Sequence, residues 1–171
     1  EVGGINQVVI DNADIRSIGA EGAFDWKATD ELKFNGGVTF TQAEFSQDLF
    51  SDDGFGGFTL EAFDGMRLVR APRWTGQLGA EYETALTANL SLRANALVRY
   101  ASDADLQLRA ANPLAPRSEA HTTLDAKLAL GSQGAGWELA LIGNNLTDER
   151  YVTFTSDAPL SDGGYYGTLS R

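Results

Sequence analysis

Apolar and polar residues alternate along most of this chain, in six separate runs. Over residues 16–26 the even positions are Ile18, Ala20, Gly22, Phe24 and Trp26, and the odd positions include Ser17, Glu21 and Asp25. The second run sets Leu32, Phe34, Gly36, Val38 and Phe40 against Lys33, Asn35, Thr39 and Thr41. The third starts after Pro72, with Trp74, Leu78, Ala80 and Tyr82 against Thr75, Gln77 and Glu81. The fourth sets Leu90, Leu92, Ala94, Ala96, Val98 and Tyr100 against Ser91, Arg93, Asn95 and Arg99. The fifth sets Leu124, Ala126, Leu128 and Leu130 against Thr123, Asp125 and Lys127. In the sixth the parity switches: Trp137, Leu139, Leu141 and Gly143 oppose Glu138, Ala140, Ile142 and Asn144, because the preceding turn breaks register. Successive side chains of a strand point to opposite faces, so each run predicts a β-strand with one apolar face.

The connections alternate in length. Those after Lys27, Glu83 and Leu130 are short, and those after Phe40, Tyr100 and Asn145 are long. Outer-membrane barrels have short periplasmic turns and long external loops. A soluble antiparallel sandwich with one wet face shares the alternation but has no reason to keep that order. Each run gives a strand of ~9–11 residues, the length that crosses a bilayer at a steep tilt. Trp26, Tyr82 and Trp137 sit by the short turns, and Trp74 and Tyr100 by the long loops, where interfacial girdles place their rings. Charge is kept off the apolar faces: Glu21, Asp25, Lys33, Glu81, Arg93, Arg99, Asp125, Lys127 and Glu138 all fall on the other side. An Arg or Lys on the lipid side at mid-bilayer costs ~2–4 kcal/mol. The pattern therefore predicts an all-β, antiparallel transmembrane barrel segment of about six to seven meandering strands, an open curved sheet when isolated. Gly163-Gly164-Tyr165-Tyr166 reads as the start of a further strand.

Composition narrows the function classes. The 171 residues suffice for one domain, and the absence of cysteine excludes disulfides and thiolate metal sites. The net charge of -11 argues against nucleic acid as a partner. No run of ~18 apolar residues predicts a transmembrane helix. The mean hydropathy is slightly negative, as expected for strands that average a lipid face with a lumen face. The start, E-V-G-G-I-N, lacks the basic and apolar regions of a signal peptide, so an earlier segment is expected to be missing or processed.

Chemistry-bearing residues are sparse. His121 is the one histidine, with no nucleophile beside it, so no catalytic site is expected. Ser51-Asp52-Asp53-Gly54 lacks the spaced ligands and closing Glu of a calcium loop and reads as a solvated loop. Asn145-Leu146-Thr147 and Asn89-Leu90-Ser91 match glycosylation acceptors, a tripeptide that arises often by chance. No metal or cofactor is expected.

Three segments carry a resemblance. Asn12 followed by R-S-I-G-A-E-G at residues 16–22, R-A-P-R-W-T at 70–75 and N-N-L-T-D-E-R-Y at 144–151 lie in order along the chain. Together they resemble the C-terminal barrel part of TonB-dependent outer-membrane receptors. The last is the most specific and rests on Asn145, Leu146, Asp148 and Tyr151. The resemblance implies a barrel of ~22 strands with a plugged lumen. Residues 1–171 would be a partial barrel, with the plug domain, the TonB box and the final aromatic-ended strand absent. It further implies a Gram-negative outer-membrane location and TonB-energised uptake of a scarce solute such as a siderophore-iron complex, vitamin or glycan. The implied partners are membrane lipid, the rest of the barrel with its plug, small-molecule cargo, and the TonB complex through the missing N-terminal part. Within that picture Ile18, Phe24, Trp26, Leu32, Phe34, Val38, Phe40, Trp74, Leu78, Tyr82, Leu90, Leu92, Val98, Tyr100, Leu124, Leu128, Leu130, Trp137, Leu139 and Leu141 face lipid. The loop at 45–63 is the candidate for cargo contact. Phe45, Phe50, Phe55, Phe58 and Phe63 offer stacking surface, and Asp52 and Asp53 offer charge selection. Two other readings fit the residues: a passive or structural outer-membrane barrel, and a soluble carbohydrate-binding β-sandwich.

Overall fold

The computed structural model describes residues 14–52, 58–61, 63–107, 116–132, 134–157 and 165–170. Twelve strands follow one another among the described residues, with no helix. They are β1 (Ile15–Lys27), β2 (Leu32–Phe45), β3 (Leu49–Asp52), β4 (Phe58–Glu61), β5 (Trp74–Thr87), β6 (Leu90–Ala101), β7 (Ala104–Asp105), β8 (Arg117–Ser118), β9 (His121–Ser132), β10 (Trp137–Gly143), β11 (Val152–Asp157) and β12 (Tyr165–Leu169). The six alternating runs form one antiparallel sheet in the order β1-β2-β5-β6-β9-β10. The other six strands pair as three two-stranded ribbons, β3-β4, β7-β8 and β11-β12.

Five of the six strands of the main sheet exceed the ~9–11 residues needed to cross a bilayer, and β10, with 7, is shorter. Strand β1 has 13 residues, and β2 and β5 have 14 each. The ladder therefore continues past the apolar stretch at both ends. Hairpin β5-β6 turns on Ala88 and Asn89, and the longer connections all lie at the opposite end of the sheet.

Register places the apolar positions of all six strands on one face. A single row runs Phe24, Gly36, Leu78, Val98, Leu124 across five strands. Two rows on, the same face runs Ala94, Leu128, Leu141. The neighbouring row on the other face is polar at both edges, running Asp25, Asn35, Gly79, Leu97, Asp125. The expected parity switch at β10 is present. Ser132 pairs with Trp137, and the even number of residues between them moves the odd positions to the apolar side. In hairpin β5-β6 a bulge between Ala85 and Thr87 restores the parity that its two-residue turn would otherwise invert.

The apolar face is bare. Leu139 is 71% exposed and Leu141 75%, and Ile18, Phe24, Val38, Leu78 and Leu128 are exposed as well. A sandwich would cover such a face with a second sheet ~10 Å away, and no second layer lies over it among the described residues. Aromatic pairs close both ends of this face. Trp26 stacks on its cross-strand partner Phe34 with centroids 5.6 Å apart, and Phe40 packs on Trp74 at 4.8 Å. Gly36 leaves room for the Phe24 ring, since a Cβ there would lie 2.6 Å from it. The core is correspondingly slight: among the described residues the buried apolar ones are Phe45, Phe63, Ala104, Leu106 and Ala129.

The structure adds what periodicity did not show. Strand β2 runs on to Phe45, beyond the last alternating residue, and the β3-β4 and β7-β8 ribbons and β11 lie in segments read from sequence as loops. The further strand expected near Tyr165 exists as β12, but it pairs with β11 rather than β10.

Facing fixes the cost of a charge. Ala94 lies in the apolar row and Asn95 beside it points to the polar side. In the full-length protein folded into bilayers, Ala94→Arg is expected to destabilise by roughly 2–4 kcal/mol and Asn95→Arg by much less. Equilibrium folding titrations into lipid vesicles check this, and equal losses would contradict the assignment.

Candidate functional site: the loop end and the inner wall below it

The loop segments are tied to one another rather than loosely attached. Phe45, at the end of β2, buries its ring against Phe63, with centroids 5.4 Å apart and exposures of 7% and 3%. The Phe45 N–H donates to the Met66 carbonyl, and its own carbonyl accepts from Gly65. This closes the base of the segment that carries β3 and β4. Arg67 then reaches across to Asp103, with Nη1 3.2 Å from Oδ2 and Nη2 3.0 Å from the backbone oxygen. Arg117 pairs with the same Asp103 carboxylate and, through Nε, lies 2.9 Å from Asp105 Oδ1. Asp105 is buried, and its carbonyl accepts from the Arg70 N–H at 2.7 Å. Among the described residues Oδ1 of that carboxylate accepts no hydrogen bond, so the charge of Arg117 beside it is what offsets its withdrawal from water. Arg70 has φ 58° and lays its guanidinium 4.9 Å from the Phe154 ring centroid, a cation–π contact. Two aspartates and three arginines thus link the β3-β4, β7-β8 and β11-β12 segments.

The polar face of the sheet carries its own ion pairs. Glu138 accepts from both Arg93 and Lys127, the latter at 2.8 Å. Arg99 donates through Nη1 to Asp125 Oδ2. The other oxygen of Asp125 accepts the backbone N–H of Asn145 at 2.8 Å. Asn145 begins a tight turn with φ 48°, and Asp148 follows at φ 49°. The Asn145 side chain donates to the Glu149 carbonyl at 2.9 Å and accepts from the Glu149 N–H at 3.1 Å. Asn tolerates the left-handed region better than most residues, and its amide can cap its own turn. The turn also takes over the edge of β9 where β10 stops. Leu146 N–H donates to the Leu124 carbonyl, and the Thr147 hydroxyl to that of Thr122. Tyr151, at the end of the segment, stacks flat on His121, with centroids 3.5 Å apart and ring planes within 11°.

Between this turn and the sheet lies an open concavity of about 540 Å3 on the polar face, at the long-loop end. Thr39, Thr75, Gln77, Arg99, His121 and Tyr151 line it. A second concavity of about 550 Å3 lies mainly on the apolar face, where Ala80, Ala94, Ala96, Ala126 and Gly143 leave a groove beside Leu141.

The predicted residues divide clearly. All twenty residues expected to face lipid stand on strands of the main sheet, at positions whose register puts them on its apolar face. Of the candidate cargo loop, Phe45 and Phe63 are buried on each other at its base. Phe50 and Asp52 belong to the β3 ladder and Phe58 to β4. Asp53 and Phe55 lie outside the described residues, as does Asn12. The motif residues Asn145, Leu146, Asp148 and Tyr151 form the turn that anchors Asp125 and His121. Arg67, Asp103, Asp105 and Arg117 were missed by sequence reasoning. Arg67 and Asp103 are 36 positions apart, and no local pattern marks an ion pair at that spacing.

The model of the family described as TonB dependent receptor-like, beta-barrel, matches residues 2–146. The chain belongs to the TonB-dependent receptor β-barrel family. Its fold is also similar to two solved structures. One is the siderophore receptor PiuA from Acinetobacter baumannii, with a TM-score of 0.67 and 20% identity, covering 92% of this chain and 20% of that one. The other is BauA, the ferric preacinetobactin receptor from Acinetobacter baumannii, with a TM-score of 0.64 and 20% identity, covering 94% of this chain and 21% of that one. The chain therefore spans about a fifth of the length of these receptors. A comparison with curated proteins finds no match.

The shared carboxylate of Asp103 should control how tightly the loop segments hold together. Asp103→Ala removes the shared carboxylate and leaves Arg67 with the residue-103 carbonyl and Arg117 with Asp105. In the full-length receptor, trypsin is expected to cut after these two arginines several-fold faster than in the parent protein, with the strands of the main sheet still protected. Unchanged cleavage would show that the ion pairs do not hold the segments.

Proposed function

We propose that the chain is a wall-and-loop segment from the C-terminal part of an outer-membrane importer. This importer takes up a scarce solute, for which an iron chelate is the leading class and a vitamin or glycan the others. The observation that carries the reading is the pairing of a bare apolar face with an ion-paired polar face across one six-stranded sheet. A bilayer outside and a polar lumen inside supply the two environments that arrangement needs. Family membership and the likeness to two siderophore receptors support the same reading. The remainder of the barrel pairs with the free edges of β1 and β10, and a plug fills the lumen against Arg93, Lys127 and Glu138. Energy reaches the plug from the TonB complex, and the segment described here supplies wall and external loops. A passive barrel of the same wall would need neither the plug nor TonB.

Two measurements test the proposal. Cells expressing the full-length receptor should accumulate chelated iron, vitamin or glycan only when TonB is intact, and uptake that persists without TonB would leave a passive barrel as the function. Topology gives the second. An epitope tag inserted near Gly56, between β3 and β4, should be reached by antibody on intact cells. The same tag at Ala28, in the turn between β1 and β2, should be silent until the outer membrane is opened. Labelling of both sites, or of neither, would contradict the orientation.

A further inference from the structure

Residues 67–73 read R-L-V-R-A-P-R, with an arginine at every third position. Each arginine engages a different element. Arg67 holds Asp103, Arg70 lies over the Phe154 ring, and Arg73 places Nη2 3.2 Å from Oε1 of Glu44 at the end of β2. The backbone of the same segment leaves the sheet and rejoins it. Thr41 N–H donates to the Arg73 carbonyl and Leu68 N–H to that of Ala43, while Glu44 bridges to Arg67. From Thr41 to Glu44 strand β2 advances three residues, but the facing chain advances six, from Arg73 to Arg67. The three surplus residues stand out as a bulge around Arg70. Pro72 suits the bulge, having no N–H to give to a ladder. We propose that residues 67–73 are a strap that joins the β7-β8 and β11-β12 ribbons into one cooperative unit, with Arg70 as the shared release point, so that the loop end opens as a whole and not ribbon by ribbon.

Arg70 makes its two contacts from a backbone conformation that it would not hold alone. Its φ of 58° lies in the left-handed region, which costs free energy for a residue with a Cβ and persists only where the surroundings over-determine it. Its N–H donates to the Asp105 carbonyl on β7 at 2.7 Å, and its guanidinium stands 4.9 Å from the Phe154 ring centroid on β11. The ladders that carry these two partners are separate sheets. When either contact is lost, the other alone has to hold the strained backbone. Relaxation of Arg70 to a negative φ then withdraws it from the remaining ribbon as well. The two contacts support each other through one backbone, so the coupling acts in both directions. The β3-β4 segment joins at the start of the strap, where Met66 N–H donates to the Phe63 carbonyl and the Met66 carbonyl accepts from Phe45. The strap governs how the loop end opens, whatever solute the barrel admits.

Hydrogen exchange read by mass spectrometry, on the full-length receptor in outer-membrane vesicles, follows each ribbon separately, and heat-modifiable mobility reports the assembly of each variant. Phe154→Leu removes the ring under Arg70. It is expected to speed exchange of the β7 and β8 amides roughly threefold to tenfold, with the six strands of the main sheet unchanged. In the other direction, Asp103→Ala, which loosens β7-β8, should speed exchange in β11. Arg70→Gly removes the guanidinium and the strain together but keeps the N–H for Asp105. In that background Phe154→Leu should have no further effect on β7-β8. Exchange that rises only in the ribbon carrying the substitution would overturn the proposal, because the ribbons would then open independently. An effect of Phe154→Leu on β7-β8 that persists undiminished beside Arg70→Gly would overturn it too, since the coupling would then run through the direct contact of β8 with β11.

Discussion

Inside a bilayer the backbone has no water to bond with, and every strand N–H and C=O must find its partner on a neighbouring strand. That constraint shapes the rest of this chain. It keeps the six strands of the main sheet in one antiparallel meander, and the meander puts tight turns at one end and long connections at the other. It also makes register decisive. A slip of one residue would turn Leu78, Val98 and Leu124 inward and Lys127 and Asp125 toward lipid. The two bends that threaten parity are handled locally, by the bulge beside Leu86 and by the change of side at Trp137.

Side-chain charge follows the two faces: among the described residues the ion pairs in the middle of the sheet stand on the polar face, and Glu44–Arg73, on the other parity, lies beyond Phe40 at the loop end. On the polar face Glu138 joins Arg93 to Lys127 across three strands, and Asp125 joins Arg99 to the Asn145 turn. Pairs this exposed add little stability each. Their value is in orientation, because they fix where long side chains stand on a wall that has almost no packed core beneath it. At the loop end the balance shifts. Asp105 is buried there, and the arginines that meet it connect segments far apart in sequence.

Most of the sheet was legible in the sequence. Period two is a local signal, and each of the six runs carried it without help from its neighbours. The ribbons were not legible. Strands β7 and β8 are two residues each, too short for any periodicity, and β11 sits in a stretch whose only cue is its partner β12. The loop at 45–63 shows the limit in another way. Its phenylalanines read as a display of stacking surface, but Phe45 and Phe63 are spent on each other, a contact that needs the chain to return on itself. The motif at 145–151 was recognisable as a string, and its physical content emerged only in three dimensions. Asn145 holds a strained turn and feeds Asp125, while Tyr151 finds His121 across the edge of β9.

The central claim is that one face of this sheet meets lipid and the other an aqueous lumen. It is tested most directly by spin labels placed singly at residues 91–99 of the full-length receptor in bilayers. For each site, accessibility to oxygen, which concentrates in lipid, is compared with accessibility to a water-soluble nickel chelate. The account predicts strict alternation, with 92, 94, 96 and 98 oxygen-accessible and 91, 93, 95, 97 and 99 not. Flat profiles, or the opposite phase, would contradict it.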